Sequence, residues 1–175
     1  MKTFKYILSL TVTLFLITAV VAGLLGLVDY LTAERIEALQ DEKANASMAE
    51  VLPAENYEEL PVNRDGIIAA YKAGDLGYVV RVAAGGFGGT IDMMVGVKND
   101  GTVSGVSIIS HAETASLGAN CVREDWRSQF TGRSGPLAVN KDGGTVDAIT
   151  GATVTSRAIT NGINLALEFV EEVGK

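Results

Sequence analysis

The sequence predicts an α+β protein: one N-terminal transmembrane helix, then a twisted antiparallel sheet packed with a few helices. Three observations lead there. Tyr6 to Val28 carries no charged side chain. From Gly77 onward, β-branched runs alternate with glycine turns. From about Thr153 the apolar residues switch to a 3.6-residue period. The chain's 175 residues suffice for one domain with a real core plus an appendage.

The uncharged run of about 23 residues would make a helix of about 34 Å, enough to cross a hydrocarbon core of about 30 Å. Lys2 and Lys5 precede it, while Asp29 and Glu34 follow. That asymmetry predicts a cytoplasmic N-terminus, an extracytoplasmic remainder and a cell-membrane location in contact with lipid. A cleaved signal peptide is the alternative, with "AVVA" (Ala19–Ala22) as a loose cleavage site. Its apolar core would span about 7–15 residues, shorter than this run. The expected organisation is 1–31 for the N-terminal segment and transmembrane helix, 32–60 for a juxtamembrane helix or linker, and 61–175 for the extracytoplasmic domain.

After the anchor, "LTAERIEALQDEKANASMAEVLP" places Ile36, Leu39 and Lys43 at helical spacing, with Pro53 as the stop. Charges cover its other faces, which suits a stalk, a partner-facing helix or a solvated linker. "GYVVRVAA" then reads as a strand, followed by the glycine loop Gly85–Gly89. "IDMMVGV", the turn "KNDG" and "TVSGVSIIS" read as a β-hairpin. "CVREDWRSQFTGR" reads as a short helix with Trp126 and Phe130 one turn apart, and "TVDAIT" as a further strand. In the last helix, Val154, Ala158, Ile159, Ile163, Ala166, Leu167 and Val170 form the apolar face.

Composition excludes some functions. A net charge of −7 gives no basic stripe for nucleic acid. The lone cysteine, Cys121, cannot form an internal disulfide, and no Cys/His cluster has metal-ligand spacing. Cys121 reads as inert packing, Trp126 as core, and His111 as satisfying a local hydrogen bond.

The most informative stretch is "DAITGATVTSRAIT", Asp147 to Thr160, where hydroxyls crowd the junction of a strand and a helix with no Cys, His or Lys to activate one. Thr153, Thr155 or Ser156 could simply cap the helix. The same geometry also suits a phosphate, because a helix start presents free N–H groups. Its dipole contributes only about 0.3–1 kcal/mol, or about 2 when partly buried. Two kcal/mol is about thirtyfold in an equilibrium constant, too little to retain a cofactor outside the cell. A large pocket or a covalent bond would be needed. A threonine ester to the phosphate would supply the bond, made by an outside enzyme because threonine has no base here.

Asp147-Ala148-Ile149-Thr150-Gly151-Ala152-Thr153 matches the D-x-x-[ST]-G-A-[ST] signature, so the chain resembles the FMN-binding domain family. The resemblance implies that a flavin transferase moves FMN from FAD onto Thr153, joining it through its phosphate. It makes Asp147 part of the recognition element, and Thr150, Gly151 and Ala152 the turn that exposes the hydroxyl. "HAETASLG", His111 to Gly118, is similar to the H-x-E-T-P-G-L-G loop found in the G subunit of Rnf electron-transport complexes and in the C subunit of sodium-pumping NADH:quinone reductases. It departs from that pattern at Ala115 and Ser116. The resemblance sets Glu113, Thr114, Leu117 and Gly118 against the flavin. Read without it, the loop is a hairpin exit whose leucine is core and whose glutamate is solvated. The glycines at 85, 86, 88 and 89 either admit the ring or form an ordinary flexible loop.

The resemblance therefore implies an electron-carrying subunit of an Rnf-type ion-translocating ferredoxin:NAD oxidoreductase, working with other subunits of a membrane complex and with no catalytic residue of its own. The alternatives are the C subunit of a quinone reductase, a free-standing extracellular flavoprotein, and a cofactor-free anchored binding module whose threonines are only a cap.

Overall fold

The structure, a computed structural model, describes residues 2–174, with the side chains of Lys2, Thr3 and Glu37 left aside. The Lys2 half of the flanking-charge argument therefore lies outside the described side chains. Helix α1 runs from Lys2 to Val51 and stops just short of Pro53, as expected where the ring restricts the preceding residue. The chain divides into two compact units between Asp41 and Glu42.

In the first unit every described side chain from Phe4 to Ile36 is exposed. Phe4, Leu14, Phe15 and Leu25 are among them. A helix apolar on all sides needs an apolar surrounding, and a bilayer supplies one. Its hydroxyls do not need water. Thr11 donates to the carbonyl of Ile7 (3.0 Å), Thr13 to that of Ser9 (2.8 Å) and Thr18 to that of Leu14 (3.0 Å).

The second unit is a five-stranded antiparallel meander, with β1 (Glu58–Leu60), β2 (Ile67–Ala73), β3 (Gly77–Gly85), β4 (Thr90–Lys98) and β5 (Val103–Ser110) in sheet order. Each strand pairs with its neighbour in sequence. The predicted hairpin is β4–β5, and the glycine loop closes β3 onto β4 with Gly85 opposite Thr90. Helix α2 (Glu124–Arg127) is brief, and α3 runs from Thr153 to Val173.

The sheet is covered on both faces. Val80, Val82, Met93 and Val95 meet Ile159, Ile163, Ala166 and Phe130 on the α3 side. Val79, Met94 and Ile109 meet Ala44 and Val51, from the last turns of α1, on the other. Strand β4 is thus buried on both sides along most of its length, which explains why "IDMMVGV" is nearly continuous in apolar residues rather than alternating.

The end of α1 is not a solvated linker. Residues Glu42–Val51 belong to the sheet's unit, and Ala44, Ser47 and Val51 are buried. Gly96 and Gly105, paired across β4 and β5, form a notch for the helix end. A Cβ on Gly96 would stand 2.7 Å from the Val51 carbonyl oxygen. Ser104 Oγ donates to that same oxygen (2.6 Å), and Ser107 Oγ donates to Glu50 Oε2 (2.7 Å). Lys43 reaches the carbonyl of Ile109.

Three readings are corrected. "TVDAIT" is not a strand: Val146 makes only an isolated parallel bridge to Val139. The peptide groups of Asp147 are taken by side chains of Trp126 and Gln129, so no ladder can extend. Strands β1 and β2 precede the predicted start at Gly77, because the alanine-rich "IIAAYKA" carries a weak strand signal. On α3, Val154 is exposed while Phe169 is buried, since the first turn rests on the loop through Thr155 and the apolar face begins further along.

Gly96→Val in a chain starting at Glu42 is expected to lower unfolding stability by about 1–3 kcal/mol through overpacking against Val51. Gly85→Ala, where a Cβ meets nothing within 4 Å, should leave the urea midpoint nearly unchanged. Equal midpoints for the two variants would contradict the notch.

Candidate functional site

The hydroxyls at the head of α3 have separate fates. Thr155 Oγ1 donates to Glu113 Oε2 (2.7 Å). Ser156 Oγ accepts from the Ile149 amide (2.9 Å) and donates to the Ala152 carbonyl (3.0 Å). Thr160 donates back to the Ser156 carbonyl (2.8 Å). None of them caps the helix: the N-cap is Ala152, with no side-chain cap. Among the described residues, the Thr153 hydroxyl has no hydrogen-bond partner, and neither do the backbone N–H groups of Thr153, Val154 and Thr155. The head of α3 thus offers one free hydroxyl and three free donors, a set complementary to an anion.

Glu113 holds the surroundings together. It is 8% exposed, and its carboxylate accepts three hydrogen bonds. Oε1 takes the amides of Phe87 (2.7 Å) and Gly88 (3.1 Å), and Oε2 takes Thr155 Oγ1 (2.7 Å). One side chain therefore ties the β3–β4 loop, the loop after β5 and the first turn of α3. Burial pushes its pKa up, but the bonds from Thr155, Gly88 and Phe87, with His111 nearby, outweigh that and leave it below the usual value. Close approach explains the adjacent glycines. A Cβ on Gly118 would stand 2.4 Å from Glu113 Oε2, and one on Gly86 2.1 Å from Oε1.

The loop reverses the expectation drawn from composition alone. Glu113 is buried, while Leu117 is 43% exposed. Ala115 and Ser116, the two departures from the family pattern, still make the turn: Leu117 N donates to the Thr114 carbonyl (3.2 Å). Ser116 adopts φ 63°, a left-handed conformation that glycine takes without strain. Thr114 is exposed and Gly118 buried. His111 Nδ1 accepts the Glu113 amide (3.2 Å), the local role expected for it. Two of the loop glycines, Gly86 and Gly88, approach Glu113 and Ala112 of the protein itself.

The two motifs meet at Gly151. Its φ of 76° turns the chain into α3, and a Cβ there would stand 3.0 Å from Leu117 Cδ2. Thr150 and Gly151 are exposed, whereas Ala152 is buried beneath the turn. An open cleft of about 620 Å³ lies alongside, lined by Leu117, Asn120, Trp126, Asp147 and Thr150. Asp147 is exposed and contacts Asn140 Nδ2 through its carboxylate (3.1 Å). The structure thus brings Leu117, Thr150 and Gly151 to one surface beside Thr153, with Glu113 and Gly118 underneath.

Sequence reasoning missed two features: the Thr155–Glu113 bond, whose partners are 42 residues apart, and the grip of Gln129 and Trp126 on Asp147. No local pattern marks either. Trp126 packs edge-on against Phe130 at 5.3 Å between ring centroids, as their spacing predicted. Cys121 is buried, and burial with the charge of Glu113 pushes its thiol up to about 11, so it stays protonated and unreactive.

The chain is similar to known proteins over nearly its whole length. Residues 86–168 match the FMN-binding domain model, and residues 1–51 match the RnfG N-terminal region. The chain is 32% identical to the G subunit of the Na(+)-translocating ferredoxin:NAD(+) oxidoreductase complex of Acetobacterium woodii, across 98% of this chain and 95% of that one. It is 34% identical to the G subunit of the ion-translocating oxidoreductase complex of Methanosarcina acetivorans, across 95% of each. Its fold is similar to that of the C subunit of the Na(+)-translocating NADH-quinone reductase from Parabacteroides distasonis, with TM-score 0.58, 16% identity, and 82% and 96% of the two chains covered.

Glu113→Gln is expected to destabilise the fold by about 2–3 kcal/mol at neutral pH, because a charged acceptor of three bonds is lost. A carboxylate whose pKa is lowered by folding stabilises above its unfolded value, 4.5, and ceases to as pH falls through the folded value. The stability gap between wild type and variant, read from urea midpoints, should therefore be full above pH 4.5 and close as pH falls below it.

Proposed function

The chain belongs to the G-subunit family of ion-translocating oxidoreductase complexes, and from that premise we propose that it carries electrons through FMN esterified to Thr153. It is a single-pass membrane protein that works with the other subunits of an ion-translocating ferredoxin:NAD oxidoreductase. Residues 1–31 anchor it in lipid, 32–60 lead from the membrane into the sheet that begins with β1, and 61–175 carry the flavin on the extracytoplasmic side.

One observation supports the attachment: among the hydroxyls of the first turns of α3, those of Thr155, Ser156 and Thr160 are bonded within the protein, while that of Thr153 is free and adjoins three unpartnered N–H groups. A phosphate monoanion fits that donor set. The N–H groups of Thr153, Val154 and Thr155 would hold its charge, with the helix start adding about 1 kcal/mol. Leu117, exposed beside Gly151, offers apolar contact to a ring. Thr150 offers a hydrogen bond at the same surface and Thr114 one from the exposed loop, Ala152 and Gly118 keep the floor beneath small, and Glu113 acts from below by fixing the loop.

When bound, FMN supplies reversible electron acceptance and donation, chemistry no side chain of this chain provides. The protein's own residues hold, orient and partly screen the cofactor. None is required as acid or base. Among the described residues the Thr153 hydroxyl hydrogen-bonds to no base, which supports loading by a separate flavin transferase that brings its own base. Asp147, exposed upstream of the turn, is the recognition residue in this reading. The cap-only alternative loses its support, since no side chain caps α3.

Two measurements test these assignments. Wild-type chain matured with a flavin transferase should fluoresce in a denaturing gel, and Thr153→Ala should be dark; a fluorescent alanine variant would reject the site. Protease added to intact spheroplasts should remove the domain after the anchor, and complete protection would reverse the proposed orientation.

A further inference from the structure

Gln129 and Trp126 have no part in the assignments above, yet both are committed to one residue of the signature. Gln129 Oε1 accepts the Asp147 amide (2.7 Å) while its Nε2 lies 3.3 Å from the Asp147 carbonyl. Trp126 Nε1 donates to that same carbonyl (2.7 Å). These three contacts fall on the peptide groups of an exposed residue that makes no strand ladder. The grip is rooted in the core: Trp126 packs edge-on against Phe130, which is 0% exposed.

The other end of the segment is held too. The Ile149 amide is bound by Ser156 Oγ and the Ile149 carbonyl by the Ala152 amide (2.9 Å). Within this segment Asp147, Thr150 and Gly151 are exposed. The signature is therefore held at Asp147 and from Ile149 to Ala152, with its exposed residues presented between and beside those contacts.

We infer that Gln129 and Trp126 are positioning residues for the loading of Thr153, holding Asp147 so that the signature is presented to the flavin transferase already in its bound shape. This rests on the reading of Thr153 given above. In loading, the Thr153 oxygen forms a bond to the flavin-side phosphorus of FAD, the phosphoanhydride bond breaks, AMP leaves, and the hydroxyl proton passes to the base of the transferase. An enzyme that binds a loose strip must order it first, which weakens binding; a clamped strip avoids that cost. The grip consequently acts on recognition of the chain rather than on the bond-forming step.

The test follows initial rates of in-gel flavin fluorescence against concentration of the full chain, with purified transferase and saturating FAD. Gln129→Ala should raise the half-saturating chain concentration about tenfold with little change in the maximal rate. Trp126→Phe, which keeps a ring against Phe130 and removes only the donor, should raise it about threefold. Asn164 provides the control. It grips the Leu137 amide and carbonyl in the same manner (2.8 Å each), away from the signature, so Asn164→Ala should load like wild type. An unchanged half-saturation in Gln129→Ala, or an equal shift in Asn164→Ala, overturns the inference. A wild-type chain that takes no label removes the Thr153 premise and this proposal with it.

Discussion

A buried carboxylate organises the region around the signature. An ionised side chain out of water is costly unless its lone pairs are filled, and Glu113 fills them with two loop amides and the Thr155 hydroxyl. Those donors come from two separate parts of the chain, so satisfying one charge draws the β3–β4 hairpin, the loop after β5 and the start of α3 together. The glycines at 86, 88 and 118 follow from the same constraint, because a Cβ at any of them would collide with Glu113 or with the backbone beside it. The carboxylate also explains which hydroxyl is left over. Thr155 is consumed by it and Ser156 by the backbone around Ile149 and Ala152, leaving Thr153 free at the helix start.

A second polar lattice works on the opposite face of the sheet. The notch of Gly96 and Gly105 lets the end of α1 approach the strands, and Ser104, Ser107 and Lys43 bond to its last turns. Glu50 also meets Arg127 (3.2 Å), from the short helix whose Trp126 grips Asp147. The sheet thus connects contacts to the juxtamembrane residues with contacts to the signature. For a protein that hands electrons on, fixed placement of the carrier is the chain's main contribution, and both lattices provide rigidity.

Much of the fold was legible because its signals are local. An uncharged run long enough to cross a bilayer, a glycine turn between β-branched segments and a sustained 3.6-residue period each depend only on neighbours in sequence. Trp126 and Phe130 meet for the same reason. The misreadings share the opposite cause. "TVDAIT" has strand composition, but side chains from elsewhere capture the peptide groups of Asp147. β2 is a true strand with weak composition, stabilised by pairing on both sides. The apolar face of α3 begins after Val154, the one predicted position that is exposed, because the first turn packs on a loop rather than on the sheet.

The same distinction governs the site. By itself the sequence determined that the chain carries a membrane-length apolar helix, an α+β domain and a hydroxyl-rich helix start bearing a recognisable signature, since each is written in consecutive residues. Only the tertiary structure decided that Glu113 is buried and Leu117 exposed, that Thr153 rather than Thr155 or Ser156 is free, and that Gln129 and Trp126 hold Asp147. Each of those outcomes depends on which distant donor reaches which acceptor. A hydrogen bond between residues 42 positions apart exists only once the chain has folded around it.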